Sequence, residues 1–544
     1  MPQSSRRSLL EALGTSALAL LAGCTGSGNE QSRRTTTADE RATRTARTTP
    51  TTGTGTDPST ADSVSAEPAT DDEPTTETAT AESTTGEPTA APPAAWELAK
   101  IGQLAALSGP PGGYAETSLR ADGAYAVVGT EYVNGGSYLI DLSTPANPTE
   151  VHHLSASGVR CPDVQCGARE GLYYRTQKPL GESSAGSVEI VDYGFGAGTP
   201  ERPVVVGGLD AGQTHNLSVH PTEPVVYAVN YDYAPDTRGM DVWDVTDPRS
   251  PELVGEAGPP GALHDVTTDP DRELLHCAYW SGPDDNGSPD RFEGYAVLDA
   301  SDPREPTVLG TYSYADGPTY SQAGLDAPGF ENAHYADFDP RRGLALVGDE
   351  MVYGVPGGKH VFDIGWEEGS PADPIPIGFT RSPNASVMHS NTDDDREPEL
   401  TEKFDWTGHN FDVAPHGEST FVVGGDRHEG VVLYDLTDPR EPTPVDAFRT
   451  DDRDPERVGE RLRRFGPGPN AWGARYCPER GFVVASDMRT GVYTFELAPE
   501  GDAHRRRTGP TREGGTAADA AERCGGAAVC RPLCAPPVRG TGDE

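Results

Sequence analysis

The sequence of 544 residues predicts an all-β fold built from seven repeated units. The main observation is a short apolar strand that ends in Asp and runs into a Pro-containing turn. It recurs at six places: LIDLSTPANP (139–148), VDYGFGAGTPERP (191–203), VWDVTDPRSP (242–251), VLDASDPREP (297–306), FDIGWEEGSPADP (362–374) and LYDLTDPREP (433–442). Glu496 in GVYTFEL continues the series, and successive strand acids stand 51 to 72 residues apart. Repeats of about this length, made of short strands, are typical of propeller blades.

A second repeated phrase lies upstream in most units and is followed by a turn and an apolar strand such as VVYAVN or LALVGDE. The copies are THNLSVHP (214–221), LHDVTTDP (263–270), AHYADFDP (333–340), GHNFDVAP (408–415) and AWGARYCP (471–478). The apolar residues alternate or run continuously and have no helical period. The sequence therefore predicts a seven-bladed β-propeller with four-stranded blades over residues 97–497, with these phrases as the inner strands.

The two ends of the repeat region predict how the ring closes. The last unit has no outer strand after FEL (495–497), whereas ELAKIGQLAAL (97–107) resembles the outer strand ELVGEAG (252–258). We expect the N-terminal strand to complete the seventh blade, since this pairing removes two open sheet edges.

The two phrases together resemble the LVIVD-repeat β-propeller family, in which inner strands of the A-H-D-V type precede V-x-D-V-S-D-P-x-x-P. The resemblance covers about residues 97–497. It implies a propeller fold and no particular reaction, because one fold can host many functions.

Residues 1–24 predict an export signal that ends in a lipid anchor. Arg6 and Arg7 precede a short apolar stretch, and paired arginines are typical of twin-arginine export. The stretch ends in Leu-Ala-Gly-Cys, which resembles a lipoprotein cleavage box and implies that Cys24 is lipidated. A membrane-spanning helix is the alternative, but the stretch is short and contains Glu11. We expect the protein on the extracellular face of the cell membrane, held there by its lipid.

The segments on either side of the repeats have the composition of disordered chain. Residues 25–95 are mainly Thr, Ala, Pro, Gly and Glu, and residues 498–544 are similarly poor in large apolar side chains. Such segments bury too little surface to offset their conformational entropy. The first is predicted to be a stalk and the second a tail.

The net charge of −43, with 86 acidic side chains against 43 basic ones, limits the kinds of partner that the chain can bind. The chain has only four lysines, and this acidic, lysine-poor composition resembles haloarchaeal proteins. No basic face is available to neutralise phosphates, so nucleic acid is excluded as a partner. An envelope protein or a glycan is the expected partner of a chain that is otherwise monomeric.

Four histidines form the strongest candidate site. His215, His264, His334 and His409 each stand six residues before a proline, at the same place in four successive units. Inner strands line the channel of a propeller, so the four imidazoles are expected to face it. Imidazole is a ligand for copper, iron and zinc, and some seven-bladed oxygenases use a four-histidine iron site. A metal-binding site is one interpretation.

The other interpretation is structural, because duplication places equal residues around a ring without any ligand. In that case each imidazole would bond to the backbone of its own blade, far from its neighbours. Three function classes follow. The sequence favours a binding or scaffolding module; the alternative is a metal-dependent oxidoreductase with the four histidines in its channel, and the third class is a structural envelope component.

The sequence also contains two closely spaced cysteines and two candidate glycosylation sequences. Cys161 and Cys166, in CPDVQC, lack metal-site or redox spacing and predict a local disulfide or two buried thiols. Asn286 and Asn384 lie in N-x-Ser sequences within insertions and are predicted N-glycosylation sites. The sequence contains no common nucleotide-binding or hydrolase motif.

Overall fold

A computed structural model describes residues 95–499 apart from 106, 180–186, 213, 231–237, 281–290, 315–331, 351–356, 386–406 and 453–467. The secondary structure of these residues is β-strand, and it contains no helix long and apolar enough to cross a membrane. The strands are β1 (Trp96–Leu104), β2 (Tyr114–Leu119), β3 (Tyr125–Thr130), β4 (Ser137–Asp141), β5 (Thr149–Leu154), β6 (Val159–Arg160), β7 (Val164–Cys166), β8 (Leu172–Pro179), β9 (Ser187–Asp192), β10 (Val204–Leu209), β11 (Leu217–Val219), β12 (Val225–Val229), β13 (Arg238–Asp244), β14 (Glu252–Pro260), β15 (Leu263–Asp269), β16 (Leu274–Tyr279), β17 (Gly294–Asp299), β18 (Thr307–Ser313), β19 (Ala333–Asp339), β20 (Leu344–Asp349), β21 (Lys359–Asp363), β22 (Ile375–Thr380), β23 (Phe411–His416), β24 (Ser419–Gly425), β25 (Val431–Asp435), β26 (Thr443–Phe448), β27 (Ala471–Cys477), β28 (Phe482–Asp487) and β29 (Gly491–Pro499).

These strands form seven antiparallel sheets, which confirms the predicted seven-bladed propeller. The blades, in chain order, are β2–β5, β6–β10, β11–β14, β15–β18, β19–β22, β23–β26, and β27–β29 with β1. The inner strand of blade 2 is divided into β6 and β7. Pro162 lies in this break, where a residue without an N–H cannot continue the ladder.

The N-terminal strand closes the ring as the sequence predicts. β1 pairs antiparallel with β29, from Trp96 opposite Pro499 to Leu104 opposite Val492. Leu98 of β1 is 5% exposed and belongs to the apolar cluster that also contains Tyr493 and Phe495. The first and last strands of the propeller therefore share one sheet, and β29 is paired on both sides.

The hydrophobic core is divided among the blade interfaces. One buried cluster joins each pair of neighbouring blades, and the cluster containing Tyr114 of blade 1 also contains Phe482 and Val484 of blade 7. Burying one such side chain contributes roughly 1.5–3 kcal/mol. A blade cannot bury both faces alone, so the ring is stable only when it is closed.

The repeated aspartates explain the turns that end the third strand of each blade. Asp141 accepts a hydrogen bond from the backbone N–H of Ser143, and Asp244 accepts one from Thr246. In blade 2, Asp192 accepts hydrogen bonds from four successive backbone N–H groups of the following loop. The carboxylate satisfies amides that have just left the ladder, which is why Asp recurs there.

Candidate metal centre

The structure places the four predicted histidines in one row along the inner strands. His264 and His334 lie in β15 and β19, and His215 and His409 each lie two residues before the start of β11 and β23. The ring centroids of successive histidines are 5.5, 3.9 and 4.3 Å apart, and the next ring is that of Trp472 at 4.5 Å from His409. All four histidines are buried, between 3% and 6% exposed.

Hydrogen bonds to the next blade orient two of these rings. His264 Nδ1 lies 2.8 Å from the carbonyl oxygen of His334, and His409 Nδ1 lies 2.5 Å from the carbonyl oxygen of Trp472. A carbonyl oxygen only accepts, so both Nδ1 atoms carry the proton and both Nε2 atoms keep a lone pair. The backbone bonds expected within each blade therefore run between blades at His264 and His409, where they hold neighbouring rings together.

The imidazoles are neutral at neutral pH. Burial lowers the pKa of all four well below the ordinary value of about 6.5, because it disfavours the charged ring. For His334 and His409 the nearby positive charge of Arg427 lowers the pKa further. Neutral imidazole is the form that binds metal ions.

Glu350, which belongs to neither repeated phrase, lies against two of the histidines. Its Oε2 lies 3.3 Å from His334 Nε2, and its Oε1 lies 3.7 Å from His409 Nε2. One donor atom from each of these three buried residues lies within 4.8 Å of the other two. Two atoms bonded to one tetrahedral ion at about 2.0–2.1 Å are about 3.4 Å apart, so the donor set fits a single transition-metal ion.

The other two predicted histidines lie beside this set. The ring of His264 packs against that of His334 at a 33° interplanar angle, and His215 meets His264 edge-on. Among the described residues the group of three donors is His334, Glu350 and His409. His264 is therefore an adjacent imidazole and His215 a more distant one.

The position of Glu350 in the blade explains how it reaches the site. The second strand of a blade runs antiparallel to the inner strand, so its end lies where the inner strand begins. Counted from the residue that pairs with the strand acid of each blade, the equivalent residues in blades 1, 2, 4, 5, 6 and 7 are Glu131, Lys178, Trp280, Glu350, Arg427 and Met488. Glu350 is the last residue of the predicted strand phrase LALVGDE, so its place at the end of a second strand could be read from the sequence.

Two neighbours fix Glu350 in place. Arg427 Nη2 lies 2.5 Å from Glu350 Oε1, and its guanidinium stacks 5.0 Å from the ring centroid of Trp472. The side-chain amide of Asn332 donates to the backbone oxygen of Glu350. Arg427 and Asn332 both have positive φ, 40° and 59°, a backbone region that residues other than glycine seldom occupy. Strain of this kind is concentrated at functional sites.

A layer of acidic side chains follows the histidines along the inner strands. It contains Glu116, Asp163, Asp265, Asp337 and Asp412, with Arg475 as the basic partner. Several of these carboxylates accept a backbone N–H from the next blade: Asp163 from Leu217, Asp337 from Val413 and Asp412 from Tyr476. The acids therefore also connect neighbouring blades.

The acidic layer is too crowded for every member to be ionised. Burial, reinforced by repulsion from Glu116, raises the pKa of Asp163 to about 8. Burial raises the pKa of Asp265 and Asp337 well above the ordinary range, and repulsion from the neighbouring acids adds to the effect. Part of the layer is protonated at neutral pH.

The other residues predicted from the sequence are two cysteines, two asparagines and the residues of the export signal. Cys161 and Cys166 are free thiols, and burial raises the pKa of each to about 12, so they are unreactive. The side-chain nitrogen of Asn384 lies 2.8 and 3.0 Å from the two carboxylate oxygens of Glu429. Glycosylation would modify this nitrogen, which is hydrogen-bonded to both oxygens. Four predicted residues lie outside the described part of the chain: Arg6, Arg7, Cys24 and Asn286.

The fold and the site together define a seven-bladed repeat β-propeller, an architecture used for binding and scaffolding, with a buried His-Glu-His cluster. No protein-family model matches the chain, and no curated protein matches it significantly.

Proposed function

We propose that this chain is a propeller-based binding protein whose ligand is a transition-metal ion held by His334, His409 and Glu350. The observation that carries the proposal is the convergence of three buried donors within 4.8 Å. The backbone bond at His409 Nδ1 supports it, because fixing one ring nitrogen directs the lone pair of the other toward Glu350. The ion pair with Arg427 accounts for a buried carboxylate at this place, but it contacts only one oxygen of Glu350 and leaves the other facing His334.

The donor set narrows the choice among copper, iron and zinc. Two imidazoles and one carboxylate suit Fe(II) or Zn(II), whereas Cu(I) prefers softer sulfur ligands. Three protein ligands also leave at least one coordination position open, which is typical of catalytic rather than structural sites. This open position favours a second candidate function, a metal-dependent oxidoreductase, in which a bound iron or copper ion would supply the redox chemistry.

The chain's own residues have definite roles in either function. His334 and His409 supply neutral nitrogen donors, and Glu350 supplies a charge that partly offsets that of the ion. Arg427 holds one oxygen of Glu350 and leaves the other for the ligand. The burial of all four residues excludes bulk water.

We also propose a family and a cellular location for the protein. The LVIVD-type phrases support membership of that propeller family, and the Arg6-Arg7 and Leu-Ala-Gly-Cys24 sequences support export and lipid anchoring. A surface-anchored propeller would lie outside the cell, where an envelope protein or glycan could reach its surface.

Metal analysis of the purified protein tests the proposal. We expect about one iron or zinc ion per chain in the wild type, and a loss of at least tenfold in occupancy in His334→Ala and His409→Ala. His416→Ala is a matched control, since His416 is a histidine at the other end of β23 whose Nδ1 contacts the Tyr476 hydroxyl. Folded wild-type protein that retains no metal after incubation with either ion would overturn the proposal.

A further inference from the structure

Exposed apolar side chains are concentrated on three neighbouring blades. Among the described residues, eight large apolar side chains are exposed, and seven of them belong to blades 2, 3 and 4. One of the seven, Phe195, lies in the loop between β9 and β10. The other six, between 37% and 53% exposed, lie in the outer strands and are Val204, Val205, Leu253, Val254, Val308 and Leu309. We call these seven side chains the apolar rim.

The register of the sheets shows that the apolar rim is not a general feature of the repeat. In each outer strand, one residue lies opposite the strand acid of its blade. In blades 2, 3 and 4 the next residue is Val205, Leu253 and Val308. In blades 1, 5, 6 and 7 the next residue is Glu150, Pro376, Pro444 and Lys100. Duplication of a blade therefore does not explain the rim, and a contiguous set of exposed apolar groups marks an interaction surface.

The outer strands of these blades are poor templates for a strand of another protein. One extra residue interrupts the register of β10, β14 and β18 beside the rim, and in β14 and β18 it is Val254 and Leu309. Such bulges bend and twist an edge strand, which opposes pairing with a further strand. The rim also contains no Tyr, Trp or Arg, the residues that dominate contacts between proteins. A lipid surface requires only apolar side chains that can enter the boundary between headgroups and acyl chains.

The apolar rim lies at the end of the propeller where the N-terminal segment joins it. In blade 7, Ala99 of β1 is opposite the strand acid Glu496, and β1 begins beyond this point, at Trp96. The preceding residues contain Cys24, the proposed site of the lipid. A disordered stalk of about 70 residues, as the composition predicts, spans about 45 Å on average, which keeps the rim within reach of the membrane.

The metal centre lies at the opposite end of the blades. In blade 4, the strand acid Asp299 is opposite Leu274, which in turn is opposite Asp269, the last residue of β15. His264 is the second residue of the same strand. A propeller that touches the membrane with its apolar rim therefore directs its histidine row away from the membrane.

We propose that the apolar rim docks on the lipid surface to which the chain is anchored. The inference rests on the proposed membrane location and is independent of the metal site. Because the chain has a net charge of −43, the surface it fits is zwitterionic rather than anionic. Seven partly exposed side chains bind weakly by themselves, and the contact becomes effective when the anchor keeps the protein at the membrane.

A tryptophan placed in the apolar rim tests the contact directly. Full-length protein carrying Cys24→Ser, which has no thiol for a lipid, is mixed with phosphatidylcholine vesicles brominated on the acyl chains, in about 1 M KCl to screen charge. Bromine quenches tryptophan fluorescence only at close contact. We expect Val308→Trp to add a signal that these vesicles quench, relative to the parent protein. Val445→Trp is the matched control, because Val445 is 39% exposed in an outer strand outside the rim, and its added signal should not be quenched.

Serine substitutions measure how much the apolar rim contributes to binding. Leu253→Ser combined with Val308→Ser should weaken partitioning of the Cys24→Ser protein into these vesicles about tenfold or more, whereas Val445→Ser should not change it. Equal quenching of Val308→Trp and Val445→Trp, or unchanged partitioning of the double serine variant, would overturn the proposal. A vesicle-free dimer that the two serine substitutions convert to a monomer would assign the rim to a second copy instead. All these proteins lack Cys24, so the results do not depend on whether the lipid anchor exists.

Discussion

Arg427 and Glu350 form an ion pair between blades 5 and 6, with Nη2 and Oε1 2.5 Å apart. The same carboxylate presents its other oxygen to His334 Nε2 at 3.3 Å. One oxygen of Glu350 thus contacts the permanent cation Arg427, and the other faces the position where we propose a metal ion. This ion pair explains how a buried carboxylate is tolerated in the absence of a metal ion.

Arg427→Gln should destabilise the metal-free protein much more than the metal-bound protein. Removing one partner of a buried ion pair costs about 3–5 kcal/mol, because the other charge stays buried and uncompensated. A bound divalent ion would replace the missing positive charge. Chemical unfolding with and without zinc measures the free energy of unfolding of the metal-bound and metal-free forms. Arg440→Gln, which breaks the exposed pair with Glu367, is the control. An equal loss under both conditions would contradict this account of Glu350.

Glu350→Gln and His264→Gln should differ sharply in metal affinity. The first removes a charged donor and should weaken binding by about a hundredfold or more. His264 does not belong to the close donor set, so its substitution should leave about one metal ion per chain and change affinity far less. Competition with a chelator provides the measurement. If His264→Gln weakened metal binding more than Glu350→Gln, the result would support the four-histidine site predicted from the sequence instead.

The acidic layer predicts a loss of stability as the pH rises. The pKa of Asp163 in the folded protein is about 8, whereas an unfolded aspartate has a pKa of about 3.9. The folded state therefore binds the proton more tightly, and the stabilisation is complete below about pH 4 and is lost as the pH rises through 8. We expect the unfolding temperature of Asp163→Asn to depend less on pH over this window. Asp210→Asn, at an exposed position, should behave as the wild type; identical profiles for all three proteins would refute the prediction.

The proposed anchor makes a prediction about fractionation. Cys24→Ser should release the protein from the membrane fraction into the medium, and replacing Arg6 and Arg7 with lysine should leave it unexported. One lipid chain holds a protein only weakly, so the informative quantity is the change between the wild type and each variant. Unchanged partitioning of both variants would mean that residues 1–24 are not a lipoprotein signal.

The sequence predicted the fold well because the blades carry the same residue types at equivalent positions. Asp141, Asp244 and their equivalents recur since every third strand ends in a turn with unpaired amides. The closing strand was recognisable because it resembles other outer strands, and the pairing of β1 with β29 confirms it.

The site was only partly predictable, for a related physical reason. Repeats reveal positions that all units share, such as the histidine register, but a site also uses positions at which the units differ. Glu350 and Arg427 lie where other blades carry Trp280 or Met488, so no repeated pattern marks them.

Anomalous diffraction at the zinc edge, from crystals of zinc-loaded protein, tests the central claim most directly. We predict one strong peak per chain, about 2.0–2.2 Å from His334 Nε2, from His409 Nε2 and from one carboxylate oxygen of Glu350. A peak elsewhere along the row, for instance between His215 and His264, or no peak in protein that is folded and exposed to excess zinc, would contradict the account.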